Sequence, residues 1–269
     1  MLLGAAAWGI LWYPLRLFAA HGLSGLWLTI LLYAGALFLI SPGMQMPLAQ
    51  WRRLLALGFF GGLTNIGFVV AVLTDNVLRV TLLFYLSPVW AVLLARVFLG
   101  ERLGPRVLGG VGIALAGMLV MLWREAALVL SAGDVYALVA GFSFAAANVL
   151  IRADGTLSVR AKAQATFMGV IVVGLVAAAA IALPPPAAPA VLTALAVGAG
   201  GAAILVVTLF VQYGVTVLPV RQSAVIALVE VITAAVSQQL WLQRGLTPTM
   251  VIGGMVLAFG ATMVAREEA

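Results

Sequence analysis

The sequence contains no cysteine, a single histidine and only eight acidic residues among 269 positions. Without cysteine the chain can form neither a disulfide bridge nor a thiolate metal site. With His21 alone and no cluster of carboxylates, it offers almost nothing from which to build a metal centre. Charged residues of both signs make up 8% of the chain, against roughly 25% in soluble domains. These shortages leave little room for metal chemistry or for a charged, water-facing surface.

Hydrophobic residues, by contrast, make up 65% of the chain, against roughly 45–50% in soluble domains. An aqueous fold cannot bury that much apolar surface, so the composition indicates a polytopic membrane protein. The first apolar run lacks a basic leading segment, contains Trp8, Trp12 and Tyr13, and is followed by many similar runs, which argues against a cleaved signal peptide. The surplus of basic residues sits in short connections, so we expect a lipid bilayer around the protein and no nucleic-acid partner.

Charges, prolines and glycines divide the chain into ten apolar stretches near the length of about 20 residues that a membrane-spanning helix needs. The runs are continuously apolar rather than alternating, which excludes a closed β-barrel. We therefore expect an all-α membrane protein without a soluble domain. The predicted spans are 2–20, 24–41, 53–73, 77–99, 104–123, 133–152, 162–183, 190–214, 220–241 and 247–265.

The basic residues predict the orientation of these spans. If the N-terminus is cytoplasmic, ten of the fourteen basic residues fall on the cytoplasmic side and four on the outer side. The positive-inside rule then favours cytoplasmic placement of both termini. The cytoplasmic group is Arg52, Arg53, Arg96, Arg102, Arg106, Arg152, Arg160, Lys162, Arg221 and Arg266. The outer group is Arg16, Arg79, Arg124 and Arg244.

The two halves of the chain resemble each other. At a constant offset of 143, residues 87–120 align with residues 230–263, and the most informative matches are Pro105 with Pro248, Gly110 with Gly253 and Gly117 with Gly260. The predicted repeats are residues 1–124 and 132–269, with five spans each. Because five is odd, the second copy enters the membrane from the opposite side. Secondary transporters commonly use such inverted repeats, with the substrate site near the midplane between the halves.

Small residues recur at helical spacing near the end of each repeat. Gly110 with Ala114, and Gly254 with Ala258, are four residues apart, which predicts tight packing of helices rather than a phosphate-binding loop.

The segment "LSPVWAVLLARVFLGERL", followed by "GGVGIALAGMLVM", resembles the drug/metabolite transporter superfamily, specifically its ten-helix EamA-type members. The resemblance covers essentially the whole chain, and its general look is similar to that of the aromatic amino-acid exporters. It implies a central cavity among spans 1, 3, 4, 6, 8 and 9, with spans 5 and 10 packed outside. The second copy departs from the pattern at Val231, where proline is usual, and at Gln243 and Arg244, where Gly-Glu would stand. This departure weakens the expectation that the last two spans keep the family's helix break.

One acidic residue, Glu230, falls in the middle of an apolar run, where a carboxylate costs several kcal/mol. One interpretation is structural: a carboxyl group bonded to backbone or hydroxyl groups that holds helices together. The other is functional: a group that contacts a substrate ammonium or takes up a proton during coupling.

Other polar residues share helix faces with Glu230 or occupy equivalent positions in the two repeats. Ser223, Glu230 and Ser237 are seven apart, with Thr233 on the same side, and Thr208, Gln212 and Thr216 step by four. The offset of 143 pairs Asn65 with Thr208 and Ser87 with Glu230, and an offset of 136 near the start of the repeats pairs Trp12 with Asn148. The candidate cavity residues are Trp12, Tyr13, Asn65, Tyr85, Ser87, Trp90, Asn148, Thr208, Gln212, Glu230, Thr233 and Ser237.

Several aromatic and basic side chains allow two interpretations. Trp12, Tyr85 and Trp90 lie deep in their spans and either line the site or pack against lipid, whereas Trp27, Trp51, Trp123 and Trp241 lie near span ends, as in interfacial belts. Arg16 and Arg79 either anchor a substrate carboxylate or extend to the membrane interface.

Together these observations predict a secondary-active transporter, not an enzyme, in a bacterial inner membrane. The expected activity is export of amino acids, aromatic or hydrophobic, or of related small metabolites by alternating access. The alternative is export of amphipathic drugs or organic cations, for which one buried acid among aromatic rings would also serve. We expect no cofactor and no metal, a small-molecule substrate, and a monomer or weak homodimer.

Overall fold

The structure, a computed structural model, describes residues 1–42, 47–74, 77–122, 131–242 and 248–265, and within these ranges the regular structure is entirely helical. The first half contains α1 (Leu2–Ile10), α2 (Trp12–Ala20), α3 (Gly25–Ile40), α4 (Trp51–Thr74), α5 (Val77–Phe84), α6 (Ser87–Leu99) and α7 (Pro105–Leu122). The second half contains α8 (Ala132–Ala153), α9 (Val159–Ala180), α10 (Ala190–Leu195), α11 (Gly201–Val217), α12 (Val220–Ala227), α13 (Val229–Leu242) and α14 (Pro248–Ala265). A π-helical turn, Ala196–Gly200, joins α10 to α11.

These helices fall into the ten predicted spans, with ends that differ by a few residues. The first span is α1 with α2, the fourth is α5 with α6, the eighth is α10 with α11, and the ninth is α12 with α13. Five stretches in the described ranges are long and apolar enough to cross a membrane: Leu2–Ala20, Trp51–Thr74, Ala132–Ala153, Val159–Ala180 and Ala190–Val217. Shorter apolar helices occupy Gly25–Ile40, Ser87–Leu99, Pro105–Val120 and Val251–Val264. The all-helical fold is therefore confirmed.

Local sequence explains where several helices begin and end. Ser131 and Asp134 form a capping box at α8, in which the Ser131 hydroxyl accepts from the Asp134 amide at 3.1 Å and Asp134 accepts from the Ser131 amide at 2.7 Å. Ser158 caps α9 by accepting from the Ala161 amide. Gly100 ends α6 in the left-handed region at φ 67°, a conformation that glycine adopts without steric cost.

The packing of the spans follows a regular pattern. The third span contacts the sixth and seventh, the eighth contacts the first and second, the fourth contacts the sixth, and the ninth contacts the first. Three further contacts join the second span to the seventh, the fourth to the ninth, and the fifth to the tenth. All these contacts cross between the two halves of the chain, so the halves interlock rather than forming separate bodies.

Glycines bring α7 and α14 into backbone contact. A β-carbon at Gly117 would lie 2.6 Å from the Gly253 carbonyl oxygen, and one at Gly260 would lie 2.6 Å from the Gly110 carbonyl oxygen. The prediction of tight packing is confirmed. The prediction that Gly254 makes the contact on α14 was wrong by one position. A β-carbon at Gly254 would have nothing within 4 Å, whereas the Gly253 carbonyl oxygen lies against Gly117.

Basic side chains join helix ends at one end of the bundle, where α4, α9 and α12 begin and α3, α8 and α11 end. We call it the Arg53 end. Arg160 donates to the Ile40 carbonyl oxygen at 3.1 Å, Lys162 to that of Ile151 at 2.6 Å, and Arg152 to that of Thr216 at 2.8 Å. Each cation thus satisfies a carbonyl in the last turn of another helix. Lys162, predicted at the cytoplasmic end of the seventh span, is fully buried there and makes this contact.

Candidate functional site

Of the four spans that consist of two helices, the fourth and the ninth are interrupted at equivalent positions of the two halves. Tyr85 and Leu86 separate α5 from α6, and Leu228 separates α12 from α13. At the offset of 143, Leu228 is the equivalent of Tyr85. Both residues are buried and belong to one hydrophobic cluster. The two breaks therefore lie close together in the interior.

Different local chemistry produces the two breaks. Pro88 lies in the first turn of α6, where a helix does not need the amide hydrogen that proline lacks. In the middle of a continuous helix the same residue would break the hydrogen-bond ladder, so the span is interrupted just before it. The ninth span has no proline here. Instead, the Leu228 amide bonds to the Val225 carbonyl and the Val231 amide bonds to the Leu228 carbonyl, so the chain tightens by i→i−3 bonds. The expectation of a weakened break was wrong, because this tight turn needs no proline.

Glu230 lies in the first turn of α13, directly after the break, and its side chain is half-buried. The Tyr85 hydroxyl, from the break in the fourth span, lies beside the Glu230 carboxyl group. The free amides and the positive dipole end of α13 also favour a carboxylate at this position. The fold thus provides the compensation that an acid in an apolar span requires, and it joins the two breaks through a polar contact.

The helix α1 packs against the same face of α13. A β-carbon at Gly9 would overlap the Thr233 hydroxyl and the Glu230 carbonyl oxygen, so only glycine permits this approach. Further along, Trp12 donates from Nε1 to the Ser237 hydroxyl at 2.8 Å. The Thr233 hydroxyl donates to the Glu230 carbonyl at 3.0 Å. Glu230, Thr233 and Ser237 therefore lie toward protein rather than lipid.

An aromatic cluster continues this face toward the end of α13. Tyr13 and Trp241 stack with centroids 5.1 Å apart and an interplanar angle of 14°, and Trp12 meets both rings edge-on. Trp241, predicted as an interfacial residue, is 48% exposed but also stacks on Tyr13. Flat apolar faces and ring edges are thus available beside the polar groups of α13.

Three other predicted residues have buried polar atoms without a hydrogen-bond partner in the described part of the chain. They are Trp90 Nε1, Asn148 Nδ2 and Gln212 Oε1. Gln212 also donates from Nε2 to the Thr166 hydroxyl at 3.0 Å, and the Trp90 ring meets Phe142 edge-on at 5.9 Å. An unpaired buried donor or acceptor costs about 1–3 kcal/mol, and proteins usually retain one for a reason. Ser87 and Thr208 are buried on the same helices as Trp90 and Gln212.

The remaining candidates are placed differently. Asn65 is occupied: its side chain accepts from the Tyr33 hydroxyl at 2.6 Å and donates to the Gly61 carbonyl at 2.9 Å. Arg16 is exposed on α2. Arg79 lies on α5, and its side chain is outside what the structure describes, as are Gln243 and Arg244.

Two cavities in the described ranges, of about 630 and 160 Å³, lie beside Arg53 at the Arg53 end, away from the centre of the bundle where the resemblance places the substrate cavity. No predicted site residue lines either one. Several of the predicted residues are buried, with Ser87, Asn148, Gln212 and Ser237 each 5% exposed or less.

Sequence reasoning missed the residues that hold these groups from other helices. Tyr33 fixes Asn65, Thr166 fixes Gln212, and Lys162 joins the ends of α8 and α11. Each acts across a contact between two different helices. The one available signal was Lys162 itself, a cation among small residues in "RAKAQAT".

Apolar helices in ten spans, two of them interrupted where they meet, define a multi-pass membrane protein. Residues 1–123, somewhat less than half of the chain, match the EamA-like transporter family. An uncharacterized transporter of Archaeoglobus fulgidus is 27% identical over 216 residues, which span 80% of this chain and 77% of the relative. A crystal structure with 19% sequence identity has a similar fold, with a TM-score of 0.78 over 98% of both chains. The resemblance predicted from the sequence is therefore confirmed over residues 1–123.

Proposed function

We propose that the protein is a secondary-active carrier that exports amino acids, aromatic or hydrophobic, or related small metabolites by alternating access. The substrate site lies between the two halves, around the breaks in the fourth and ninth spans. Trp12, Tyr13 and Trp90 supply ring faces for an apolar side chain. Ser87, Asn148, Thr208, Gln212, Thr233 and Ser237 supply polar groups. Direction and substrate class rest on the resemblance to the family's exporters, not on the site alone.

The observation that carries this proposal is the contact of Glu230 with Tyr85 at the paired breaks. Interrupted helices near the midplane are where secondary transporters place substrate and coupling ions, because the free helix ends supply unpaired backbone groups. A carboxyl group held there can contact a substrate ammonium, or bind and release a proton as the surroundings change. Tyr85 is the titratable group that faces it from the neighbouring break.

The packing pattern supports alternating access through two inverted repeats, residues 1–124 and 132–269. Exchanging spans 1–5 with spans 6–10 converts the contact of the third and sixth into that of the eighth and first. The same exchange converts third–seventh into eighth–second and fourth–sixth into ninth–first. The contacts 2–7, 4–9 and 5–10 map onto themselves. Such a pattern gives two conformations of comparable energy that open to opposite sides.

We further propose that both termini are cytoplasmic, that the Arg53 end faces the cytoplasm, and that the protein acts in a bacterial inner membrane as a monomer or weak homodimer. The distribution of basic residues supports this orientation.

Uptake into proteoliposomes tests the proposal. Labelled tryptophan, phenylalanine, methionine and threonine would be offered with and without a pH gradient, and counterflow would be measured with unlabelled substrate inside. We expect saturable flux and counterflow of at least the aromatic amino acids. In Glu230→Gln the response to the pH gradient should disappear, whereas Tyr85→Phe, which keeps the carboxyl group, should retain it. Flux unchanged in rate and pH response in Glu230→Gln would contradict a role for Glu230 in coupling.

The alternative function, export of amphipathic drugs or organic cations, is favoured by the cluster of Trp12, Tyr13 and Trp241. Aromatic faces bind cations, and Glu230 would then serve as the counter-charge. A hydrophobic cation added to the same assay separates the two functions. Transport of the cation without amino-acid flux would favour this alternative.

A further inference from the structure

A contact between the two halves at the Arg53 end is made by Glu101, which follows Gly100 at the end of α6. Oε1 of Glu101 accepts from the Val220 amide at 2.9 Å, and Oε2 accepts from the Arg221 amide at 3.3 Å. Val220 and Arg221 open α12, whose own N-cap, Pro219, makes no side-chain capping bond. Glu101 therefore caps a helix of the other half. We call this contact the Glu101 cap.

The chemistry of the Glu101 cap is favourable for two reasons. The first amides of a helix have no acceptor within the helix, and a carboxylate satisfies two of them at once. The negative charge also lies at the positive end of the helix dipole. Arg221 returns a second contact, since its guanidinium donates to the Arg102 carbonyl oxygen at 2.8 Å. Both Val220 and Arg221 are buried, so the bonds are shielded from water.

The helix that Glu101 caps leads directly to Glu230. α12 spans Val220–Ala227, the break follows at Leu228, and Glu230 lies in the first turn of α13. An eight-residue helix is a short rigid element, so the position of its first turn influences the position of the break. α12 also packs on α6 through Val220 and Ala224 against Ala91 and Ala95. The Glu101 cap thus fixes the fourth and ninth spans to each other on one side of the Glu230–Tyr85 contact.

The sequence does not repeat this device in the other half. At the offset of 143, the position of Glu101 is occupied by Arg244, and that of Val220 corresponds to Val77, which opens α5. An arginine has no acceptor for helix amides, and its charge is unfavourable at a helix N-terminus. The two ends of the bundle therefore differ chemically.

We propose that Glu101 is a positioning residue that holds the Arg53 end closed beneath the Glu230 site, and that this end opens when Glu101 leaves α12. The proposal rests on the proposed alternating-access function. It names a residue that governs the balance between the two conformations without touching the substrate.

The absence of cysteine allows a direct test by single-cysteine labelling. Ser223→Cys places a thiol on α12 near the Glu101 cap, and Ser237→Cys places one on α13 toward the opposite end; both serines are at least 95% buried. Each variant, with and without Glu101→Gln, would be reacted in vesicles with a membrane-impermeant maleimide applied from the side of that residue. Loss of a charge-assisted pair of hydrogen bonds should raise labelling at position 223 about tenfold. Labelling at position 237 should fall in the same variant, because the opposite end closes.

Opposite changes at the two positions separate a shift between conformations from a general loosening. If Glu101 were only structural, labelling at both positions would rise together, and the proposal would be overturned; unchanged labelling at both would overturn it equally. Arg102→Gln is the matched control, because it removes an exposed neighbouring charge while keeping the carbonyl group that Arg221 binds, and it should change neither rate. Glu101→Asp, with its shorter side chain, should give a smaller change in the same two directions, and decides the matter if Glu101→Gln does not fold.

Labelling requires no substrate, so this test can fail or succeed independently of the transport assay. If labelling changed in opposite directions at positions 223 and 237 but no amino acid were transported, the role of Glu101 would stand and the substrate would belong to another class. If amino acids were transported but labelling did not change in opposite directions, the protein would still be a carrier, and Glu101 would not govern the balance between its conformations.

Discussion

Asp154 is a buried acid outside the spans, where α8 ends, and its contacts explain how a charge is tolerated there. Its side chain is 4% exposed and accepts four hydrogen bonds: from the Thr156 hydroxyl and amide, the Leu157 amide and the Arg53 guanidinium. Burial by itself raises the pKa of Asp154, but the bonds from Thr156, Arg53 and Leu157 outweigh it and hold the pKa below its ordinary value of 3.8.

The lowered pKa determines how Asp154→Asn should depend on pH. Because the folded protein holds this proton less tightly than the unfolded chain, Asp154 adds stability above pH 3.8, and this contribution is lost as the pH falls below that value. Asp154→Asn should therefore lower the free energy of unfolding by about 1–3 kcal/mol at pH 7. The difference should shrink as the pH is lowered below about 4. Thermal unfolding in detergent, followed by tryptophan fluorescence, measures both effects.

Arg53→Met is the matched control for this prediction. The Arg53 side chain is 63% exposed, and an exposed ion pair contributes about 0–1 kcal/mol. The backbone and Thr156 bonds remain in this variant. We therefore expect Arg53→Met to be clearly milder than Asp154→Asn. Equal losses would mean that the ion pair, and not the bonds within the turn, stabilises this end of α8.

At the same scale, the sequence identified residues with unusual chemistry but not those whose role depends on a partner. Glu230 stood out because an acid in an apolar run is costly wherever the chain folds. Glu101 and Lys162 looked like ordinary charges near span ends, since the amide that donates to Glu101 and the carbonyl that accepts from Lys162 lie 119 and 11 residues away. A single sequence contains no signal for such pairings.

At the scale of helices, glycines determine how closely the fifth and tenth spans approach. Gly117→Ala places a β-carbon against the backbone of Gly253 and Leu257, which cannot move aside as a flexible side chain would. We expect a loss of about 1–3 kcal/mol in the free energy of unfolding. The melting temperature in detergent checks this result.

Gly112→Ala on the same helix serves as the control. Gly112 is exposed and has nothing within 4 Å of a β-carbon, and alanine is the better helix former. This variant should be neutral or slightly stabilising. A loss as large as that of Gly117→Ala would show that helix propensity, rather than the contact with α14, governs position 117.

The positions of the helices could be predicted because the length of an apolar run and the prolines, glycines and charges that end it are local properties of the sequence. The breaks within spans, and the residues through which two helices touch, could not always be predicted. Pro88 marks the first break in the sequence, but the equivalent break at Leu228 has no such residue and depends on a tight turn formed within the bundle. Gly253 and Gly254 are equally small, and only the rotation of α14 against α7 decides which one makes the contact.

For the whole molecule, the interlocking of the two halves gives a specific prediction of orientation. Cytoplasmic termini place the connection between α8 and α9 on the inner side and that between α2 and α3 on the outer side. Gly155 and Ser24 are exposed in these two connections. Single cysteines at these positions can be labelled without background, since the chain contains no cysteine.

We expect Gly155→Cys to react with a membrane-impermeant maleimide in inverted membrane vesicles but not in intact cells with a permeable outer layer. Ser24→Cys should react in intact cells but not in inverted vesicles. The reversed result would place the Arg53 end outside, and the Glu101 cap would then close the outer side of the site instead of the inner one. Labelling of either residue from both sides would indicate mixed insertion, which the ten-to-four distribution of basic residues argues against.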